Sequence, residues 1–230
     1  MTARRDREGF WRSNSLTLCF GAAFLIVLGA QAVAGRAEFK EQLALEGLQQ
    51  VGFGDYPMSS DFAVDVTENW QSEFLQFFLY VFGTVCLLQR GSPGSKPLDR
   101  VGTESEREQR MGDHAKADSP RWASTKDWRQ ALYSRSLGLV MAVFFLLSWS
   151  AQSVSGVAAH NELRLRQLRT PIPWRSYPAS SGFWSRSLQN WQSELLAVAS
   201  MAVLSVYLRQ RGSPESKPVG ATHEATGVEG

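Results

Sequence analysis

Two glutamate residues stand at the start of apolar stretches of this sequence. Glu73 ends the motif Asn-Trp-Gln-Ser-Glu at residues 69–73, and Glu194 ends a second copy at residues 190–194. If each apolar stretch crosses a membrane, Glu194 lies about 7 Å inside the outer end of its span at 1.5 Å per residue, and Glu73 lies at a similar or shallower depth. An ionisable group at that depth is a candidate ion site or proton site.

Amide side chains accompany both glutamates. Each glutamate follows an asparagine by four residues, so the two side chains share a helix face. A glutamine near the outer end of a preceding apolar run lies at a matching depth. The sequence therefore predicts a symmetric intramembrane polar layer made of Gln31, Asn69, Glu73, Gln152, Asn190 and Glu194.

Three interpretations of this layer stay open. The first is structural, because interhelical hydrogen bonds hold membrane helices together with ~0.6–2 kcal/mol each. The second is an ion or proton site, and the third is contact with a lipid headgroup or a partner protein. Replacing Glu73 and Glu194 with glutamine tests the second, since unchanged folding and unchanged flux would exclude transport.

Enzyme chemistry finds no support in the sequence. The motifs HExxH, GxSxG and CxxC and a glycine-rich phosphate loop are absent. Cys19 and Cys86 lie within apolar runs, and the three histidines have no ligand spacing. The net charge of +2, without a basic stripe of interleaved aromatics, argues against nucleic acid. We therefore expect no catalytic residue, metal, cofactor or nucleic-acid partner.

An internal repeat supplies the elements that position these residues. The two copies of Asn-Trp-Gln-Ser-Glu are 121 residues apart (190 − 69), and so are the two copies of Gln-Arg-Gly-Ser-Pro at residues 89–93 and 210–214 (210 − 89). Tyr56 and Tyr177, each followed by proline, keep the same offset. An ungapped repeat of this length indicates a duplicated folding unit.

Each repeat contains two apolar runs. Residues 13–35 carry no charge, nor do residues 136–161 if His160 is neutral. Both exceed the ~20 residues that a membrane-spanning helix needs. Shorter runs at 74–89 and 195–208 can extend into the preceding motif. The sequence predicts an all-α fold, a transmembrane four-helix bundle built from two parallel helical-hairpin repeats.

Composition divides the chain into five segments. They are an N-terminal segment at 1–12, repeat 1 at 13–93 with an outer loop at 36–59, a linker at 94–133, repeat 2 at 134–214 with an outer loop at 158–180, and a tail at 215–230. The linker and tail are polar, which predicts disorder. Helical lead-in segments are expected at Asp61–Trp70 and Gly182–Trp191. The pairs Ser59-Ser60 and Ser180-Ser181 are candidate caps for the second helix of each repeat, and Gly91 and Gly212 are candidate left-handed C-caps.

The distribution of lysine and arginine predicts the orientation. Of the 24 basic residues, 17 lie at residues 1–12, 90–135 and 209–230, so the termini and the linker are predicted to be cytoplasmic in a multi-pass protein of the cytoplasmic membrane. Indoles favour the membrane boundary, and cations meet anionic headgroups there. The expected membrane-surface anchors are Trp70, Arg90, Lys96, Trp191, Arg211 and Lys217.

The first apolar run also fits a signal peptide, because basic residues precede it and Ala32-Val33-Ala34 resembles a cleavage site. The matching Ser153-Val154-Ser155 lies in mid-chain, where an ordinary signal peptide cannot act. We therefore expect the first run to be retained as a helix.

The chain resembles a family of small bacterial integral membrane proteins that is catalogued only as a domain of unknown function. The motifs NWQSE and RGSPxSKP carry this resemblance, which covers nearly the whole chain apart from the linker and tail. It implies bacterial origin and residence in the cytoplasmic membrane. It implies no activity, substrate or cofactor.

Two classes of function follow from these observations. The first is a non-enzymatic structural or interaction protein whose partners are the lipid bilayer and either a second copy or another membrane protein. The second is a small transporter or channel subunit that uses the polar layer. A water-filled cavity reaching both glutamates would favour the second class, and amide groups that seal them would favour the first.

Overall fold

The structure is a computed structural model that describes residues 9–49 and 52–230. All regular secondary structure in those residues is helical, which confirms the all-α class for the described chain. The helices are α1 (Ser15–Leu45), α2 (Ser60–Cys86), α3 (Trp128–Tyr133), α4 (Ser136–Arg166) and α5 (Ser181–Tyr207), with short 3-10 helices at Tyr56–Met58, Gly112–His114 and Trp174–Ser176. Residues 1–8 of the predicted N-terminal segment and residues 50–51 of the first outer loop lie outside the described residues.

The four long helices follow the offset of the sequence repeat. α1 and α4 each contain 31 residues and begin 121 residues apart (136 − 15). α2 and α5 each contain 27 residues and also begin 121 residues apart (181 − 60). Each repeat therefore forms one longer helix followed by one shorter helix.

The first helix of each repeat runs past the predicted start of its outer loop. α1 continues to Leu45 and α4 to Arg166, because the residues that follow each apolar run are good helix formers without proline. Two residues beyond the end of each helix, the backbone enters the left-handed region, at Gly47 (φ 67°) and Leu168 (φ 56°). The charged residues that end an apolar run do not end a helix.

The second helix of each repeat begins where the sequence predicts. The hydroxyl groups of Ser59 and Ser180 accept hydrogen bonds from the backbone N–H groups of Phe62 and Phe183, at 3.2 and 3.3 Å. Both serines are therefore N-caps, as predicted. The helices end before Gly91 and Gly212, so these left-handed glycines belong to a following turn rather than to the helix cap.

Two of the long helices, α1 and α4, are long and apolar enough to cross a membrane by length and composition. α2 and α5 do not meet the same criterion. Two candidate spans are weaker support than four, because a core helix or a signal sequence can have the same character. The four-span bundle and the expected retention of the first run stay predictions.

The chain divides into two compact units, residues Met1–Ala63 and Val64–Gly230. In the first unit, Phe39 and Leu43 of α1 pack with Tyr56 into a small buried core. The large apolar side chains of α1 before residue 34 are mostly exposed, including Leu16 and Ile26. The core of this unit therefore lies at the C-terminal end of α1.

Within the second unit, α2 and α4 run antiparallel. The rings of Phe74 and Phe144 lie 5.0 Å apart, and the hydroxyl oxygens of Thr67 and Ser155 lie 3.4 Å apart. Residue numbers therefore fall along one helix as they rise along the other.

The second helices of the two repeats, α2 and α5, run parallel. Glu68 contacts Arg186 at 3.0 Å, and Gln71 contacts Trp191 at 2.7 Å. The register advances in the same direction along both helices. This is the relative direction that two repeats of the same orientation require.

The predicted linker contains local structure. The 3-10 helix at Gly112–His114 and α3 both lie within it, and Lys126 pairs with Asp113 at 2.6 Å. The disorder predicted for the linker and tail stays a prediction.

Candidate functional site

The two copies of Asn-Trp-Gln-Ser-Glu meet at the contact between α2 and α5. Nε1 of Trp191 donates a hydrogen bond to Oε1 of Gln71 at 2.7 Å. Nε2 of Gln71 donates to the backbone oxygen of Glu68 at 3.0 Å, and the residue is 0% exposed. Because both side-chain ends of Gln71 are paired, a glutamine is accommodated in a fully buried position.

Polar side chains occupy the interior of the second unit. The most completely buried side chains of the described chain are those of Lys217, Gln71, Gln152, Ser72 and Ser187. Ser187 accepts a hydrogen bond from Nε1 of Trp149 at 3.4 Å. Oε1 of Gln152 has no hydrogen-bond partner within the described residues, which costs about 1–3 kcal/mol when such a group is buried in protein.

The glutamates of the predicted polar layer lie outside this interior. Glu73 is exposed and Glu194 is half-buried. They occupy equivalent positions of the parallel helices α2 and α5. In the described part of the second unit, no hydrogen bond joins either glutamate to Asn69, Asn190 or Gln152.

The asparagines of the predicted layer bind their own helices. Nδ2 of Asn69 donates to the backbone oxygen of Asp65 at 2.7 Å, and Nδ2 of Asn190 donates to that of Arg186 at 3.0 Å. Gln31 is half-buried in α1 and belongs to the first unit. Of the six predicted layer residues, only Gln152 is fully buried.

An ion cluster that sequence reasoning missed joins α2 and α5. Nη1 of Arg186 lies 3.0 Å from Oε2 of Glu68 and 3.7 Å from Oδ1 of Asp65. Asp65 and Arg186 occupy equivalent positions of the two repeats (186 − 65 is 121). This ion pair could have been suspected from the sequence, because one repeat position holds an aspartate in the first copy and an arginine in the second.

A tyrosine holds the loop of each hairpin against its first helix. In the first unit, a side chain at Gly35 would collide with the phenol of Tyr56. In the second unit, a Cβ atom at Gly156 would lie 2.7 Å from Cε1 and Oη of Tyr177. Each tyrosine needs a residue without a side chain beneath it.

Further ring contacts surround each tyrosine. Tyr56 lies 5.6 Å from the rings of both Phe39 and Phe62. Tyr177 lies 5.6 Å from His160 and 5.7 Å from Phe183. His160 follows Phe39 by 121 residues, and Phe183 follows Phe62 by 121 residues. The two repeats therefore use equivalent positions to pack the tyrosine. The sequence analysis matched these tyrosines but assigned them no role.

Tryptophan side chains cluster between α4 and α5. The ring of Trp149 lies within 6.0 Å of the rings of Phe145, Phe183, Trp184 and Trp191. Trp191, an expected surface anchor, is therefore packed between helices. Trp70, its counterpart in repeat 1, is exposed.

The Gln-Arg-Gly-Ser-Pro segments form the same turn twice. The hydroxyl of Ser95 accepts from the backbone N–H of Gln89 at 3.0 Å, and that of Ser216 accepts from Gln210 at 2.9 Å. Gly91 and Gly212 have φ angles of 84° and 82°, a region in which residues with a side chain are strained.

The lysine of each RGSPxSKP motif binds the chain that follows. Nζ of Lys96 donates to the backbone oxygen of Gly102 at 2.7 Å and pairs with Glu104 at 2.7 Å. Nζ of Lys217 donates to three backbone oxygens of the tail, including that of His223 at 3.0 Å. Burial lowers the pKa of Lys217, and the charge of Arg209 adds to that shift.

The lysines and arginines predicted as membrane anchors differ in whether their charged groups are already paired within the chain. Lys217 is 1% exposed and holds the tail, Lys96 is paired with Glu104, and Arg90 is paired with Glu224 at 3.2 Å. Arg211 is exposed. Membrane anchoring by these residues stays a prediction.

Metal chemistry has no visible site in the described residues, where no group of three or more His, Cys, Asp or Glu side chains could hold an ion. The arrangement can pair helices through hydrogen bonds and ion pairs.

Comparison with known proteins identifies a family. The sequence model of one protein family matches residues 7–228, and its description is "Domain of unknown function (DUF6766)". No curated protein and no solved structure matches the chain.

Proposed function

The chain belongs to the DUF6766 family, and we propose that it is a four-span integral membrane protein of structural or interaction type, without enzymatic activity. The proposal places both termini and the linker in the cytoplasm of a bacterial cell. Its partners are the lipid bilayer and either a second copy or another membrane protein.

The observation that carries this proposal is the reversed distribution of polarity. The most deeply buried side chains are glutamine, serine and lysine, whereas large apolar side chains of all four long helices are exposed. Proteins in water rarely leave contiguous apolar surface exposed on this scale. In a bilayer, apolar side chains face lipid, and polar side chains supply the helix-to-helix contacts.

The lengths of the shorter helices are compatible with this proposal. Each contains 27 residues, which corresponds to about 40 Å at 1.5 Å per residue. The hydrocarbon core of a bilayer is ~30 Å thick. A span within each helix leaves the first turns, with Asp65 and Arg186, outside the hydrocarbon core.

Membrane extraction and reconstitution test the proposal. We expect the protein to stay in the membrane fraction after an alkaline carbonate wash, to purify in lipid as one defined assembly, and to give no ion or proton flux above protein-free vesicles. Release into the soluble fraction by the wash would contradict it.

The second candidate function is a transporter or channel subunit. The equivalent positions of Glu73 and Glu194 on the parallel helices α2 and α5 favour it, because two carboxyl groups at membrane depth are candidate groups for binding a cation or a proton. In proteoliposomes, this alternative predicts a flux that the double variant Glu73→Gln/Glu194→Gln abolishes. A control variant, Glu38→Gln, changes a carboxylate elsewhere and should keep the flux.

A further inference from the structure

The C-terminal tail contacts both residues of the Arg-Gly pair that follows α2 and buries the glycine. Arg90 pairs with the carboxylate of Glu224 at 3.2 Å. The backbone N–H of Gly91 donates to Oγ1 of Thr226 at 2.8 Å. Gly91 is buried, and a side chain at this position would collide with the backbone oxygen of His223. The tail therefore provides two oxygen acceptors for one guanidinium and one glycine amide.

The equivalent Arg-Gly pair that follows α5 is open. Gly212 has the same backbone conformation as Gly91, but it is exposed, and nothing lies within 4 Å of a Cβ atom placed there. Among the described residues, neither the Arg211 side chain nor the Gly212 N–H has a hydrogen-bond or ion-pair partner. The last residue, Gly230, lies beside the backbone oxygens of Ser213 and Ser216, which are acceptors themselves.

We propose that Arg211 and Gly212 bind the phosphate group of an anionic phospholipid. The covered turn shows which atoms this geometry accepts, a carboxylate oxygen on the arginine and a second oxygen on the glycine N–H. A phosphate offers both acceptors within one group, and its charge strengthens each hydrogen bond. The two repeats thus use the same turn differently, one for the tail and one for lipid.

This inference rests on the proposed function, because only the proposed orientation places the turn at the cytoplasmic surface of the membrane. Anionic lipids in that leaflet attract basic side chains. A protein that washes out of membranes refutes the proposed function itself. A protein that stays in membranes without lipid binding at Arg211 refutes this inference alone.

Native mass spectrometry of the detergent-purified protein tests the site. The probe is phosphatidylglycerol, with phosphatidylcholine as the zwitterionic comparison. We expect Arg211→Gln to lower the occupancy of bound phosphatidylglycerol about fivefold. The matched control, Arg90→Gln, should leave that occupancy unchanged, because Arg90 is already paired with Glu224 and the N–H of Gly91 with Thr226. Equal loss in both variants, or no loss in either, would overturn the inference.

Opening the covered turn provides a gain-of-binding test that does not depend on a loss of folding. The double variant Glu224→Ala/Thr226→Val removes both side-chain acceptors of the tail from Arg90 and Gly91. We expect it to bind a second phosphatidylglycerol. If the tail of a second copy occupies Arg211 instead, the same variant will break an assembly, seen by light scattering, and will bind no additional lipid. That result would contradict lipid as the occupant.

Discussion

The indole of Trp191 and the side-chain amide of Gln71 share a hydrogen bond of 2.7 Å that joins the two copies of the Asn-Trp-Gln-Ser-Glu motif. The bond links the parallel helices α2 and α5 in the interior of the second unit. Gln192, which occupies the position of Gln71 in the second copy, is exposed. The same residue type therefore has different surroundings in the two repeats.

Replacing Gln71 with leucine should destabilise the protein. The variant leaves the indole N–H of Trp191 without its acceptor, and interhelical hydrogen bonds of this kind contribute ~0.6–2 kcal/mol. Thermal unfolding in detergent, followed by tryptophan fluorescence, measures the effect. Gln192→Leu is the matched control and should unfold like the parent protein. Equal stability of both variants would show that the buried bond contributes nothing.

Alanine at Gly156 should displace the loop tyrosine. Its methyl group would lie 2.7 Å from Tyr177, and such overpacking costs about 1–3 kcal/mol. Gly182→Ala is the control, because the nearest atom there is 4.0 Å away. Both variants can be compared by thermal unfolding. In the double variant Gly156→Ala/Tyr177→Ala the collision should be absent, so its loss of stability should be smaller than the sum of the losses in the two single variants. A loss equal to that sum would argue against this contact.

The ion cluster of Arg186 predicts a modest coupling between α2 and α5. A double-mutant cycle of Arg186→Gln and Glu68→Gln should give a coupling free energy of about 0.2–1 kcal/mol, because Arg186 is partly exposed to solvent. Arg175→Gln, which removes an exposed charge nearby in sequence, should show no coupling to Glu68. A cycle that closes with zero coupling would contradict a role for this ion pair in holding the helices together.

The ion pair between Lys96 and Glu104 should stabilise the start of the linker in a pH-dependent way. The hydrogen bond from Lys96 lowers the pKa of Glu104 below its ordinary value of 4.5. A carboxyl group whose pKa is lower in the folded protein than in the unfolded chain stabilises the fold above pH 4.5. This stability is lost as the pH falls through the pKa of the folded protein. The backbone N–H of Gly102 donates to the backbone oxygen of Val85 at 2.9 Å. Its hydrogen–deuterium exchange, corrected for the pH dependence of the intrinsic exchange rate, should become faster as the pH falls below 4.5. Glu104→Gln should remove this pH step, and a step that survives in the variant would assign it to another group.

The repeat made much of the helical architecture predictable. Residues 121 apart begin the paired helices, and the serine caps were identifiable from their position. The C-terminal ends of α1 and α4 were not predictable in this way, because a loss of hydrophobicity does not by itself end a helix. Leu45 and Arg166 belong to helices that continue into polar sequence.

The helix face on which each side chain lies was harder to predict. Glu73 and Gln71 stand two residues apart in one motif, so their side chains point about 200° apart at 3.6 residues per turn. The sequence predicts the carboxylate of Glu73 in the helix contact, whereas the structure has the amide of Gln71 there. The tail contacts and the tyrosine packing join segments distant in sequence, so helical periodicity holds no signal for them.

Cysteine labelling tests most directly whether the chain crosses the membrane as two hairpins of the same orientation. With Cys19 and Cys86 replaced by serine, single cysteines at Leu45→Cys and Arg110→Cys are treated with a membrane-impermeant maleimide in intact cells and after lysis. The account predicts that position 45 is labelled in intact cells and that position 110 is labelled only after lysis. Labelling of both positions from the same side would contradict it.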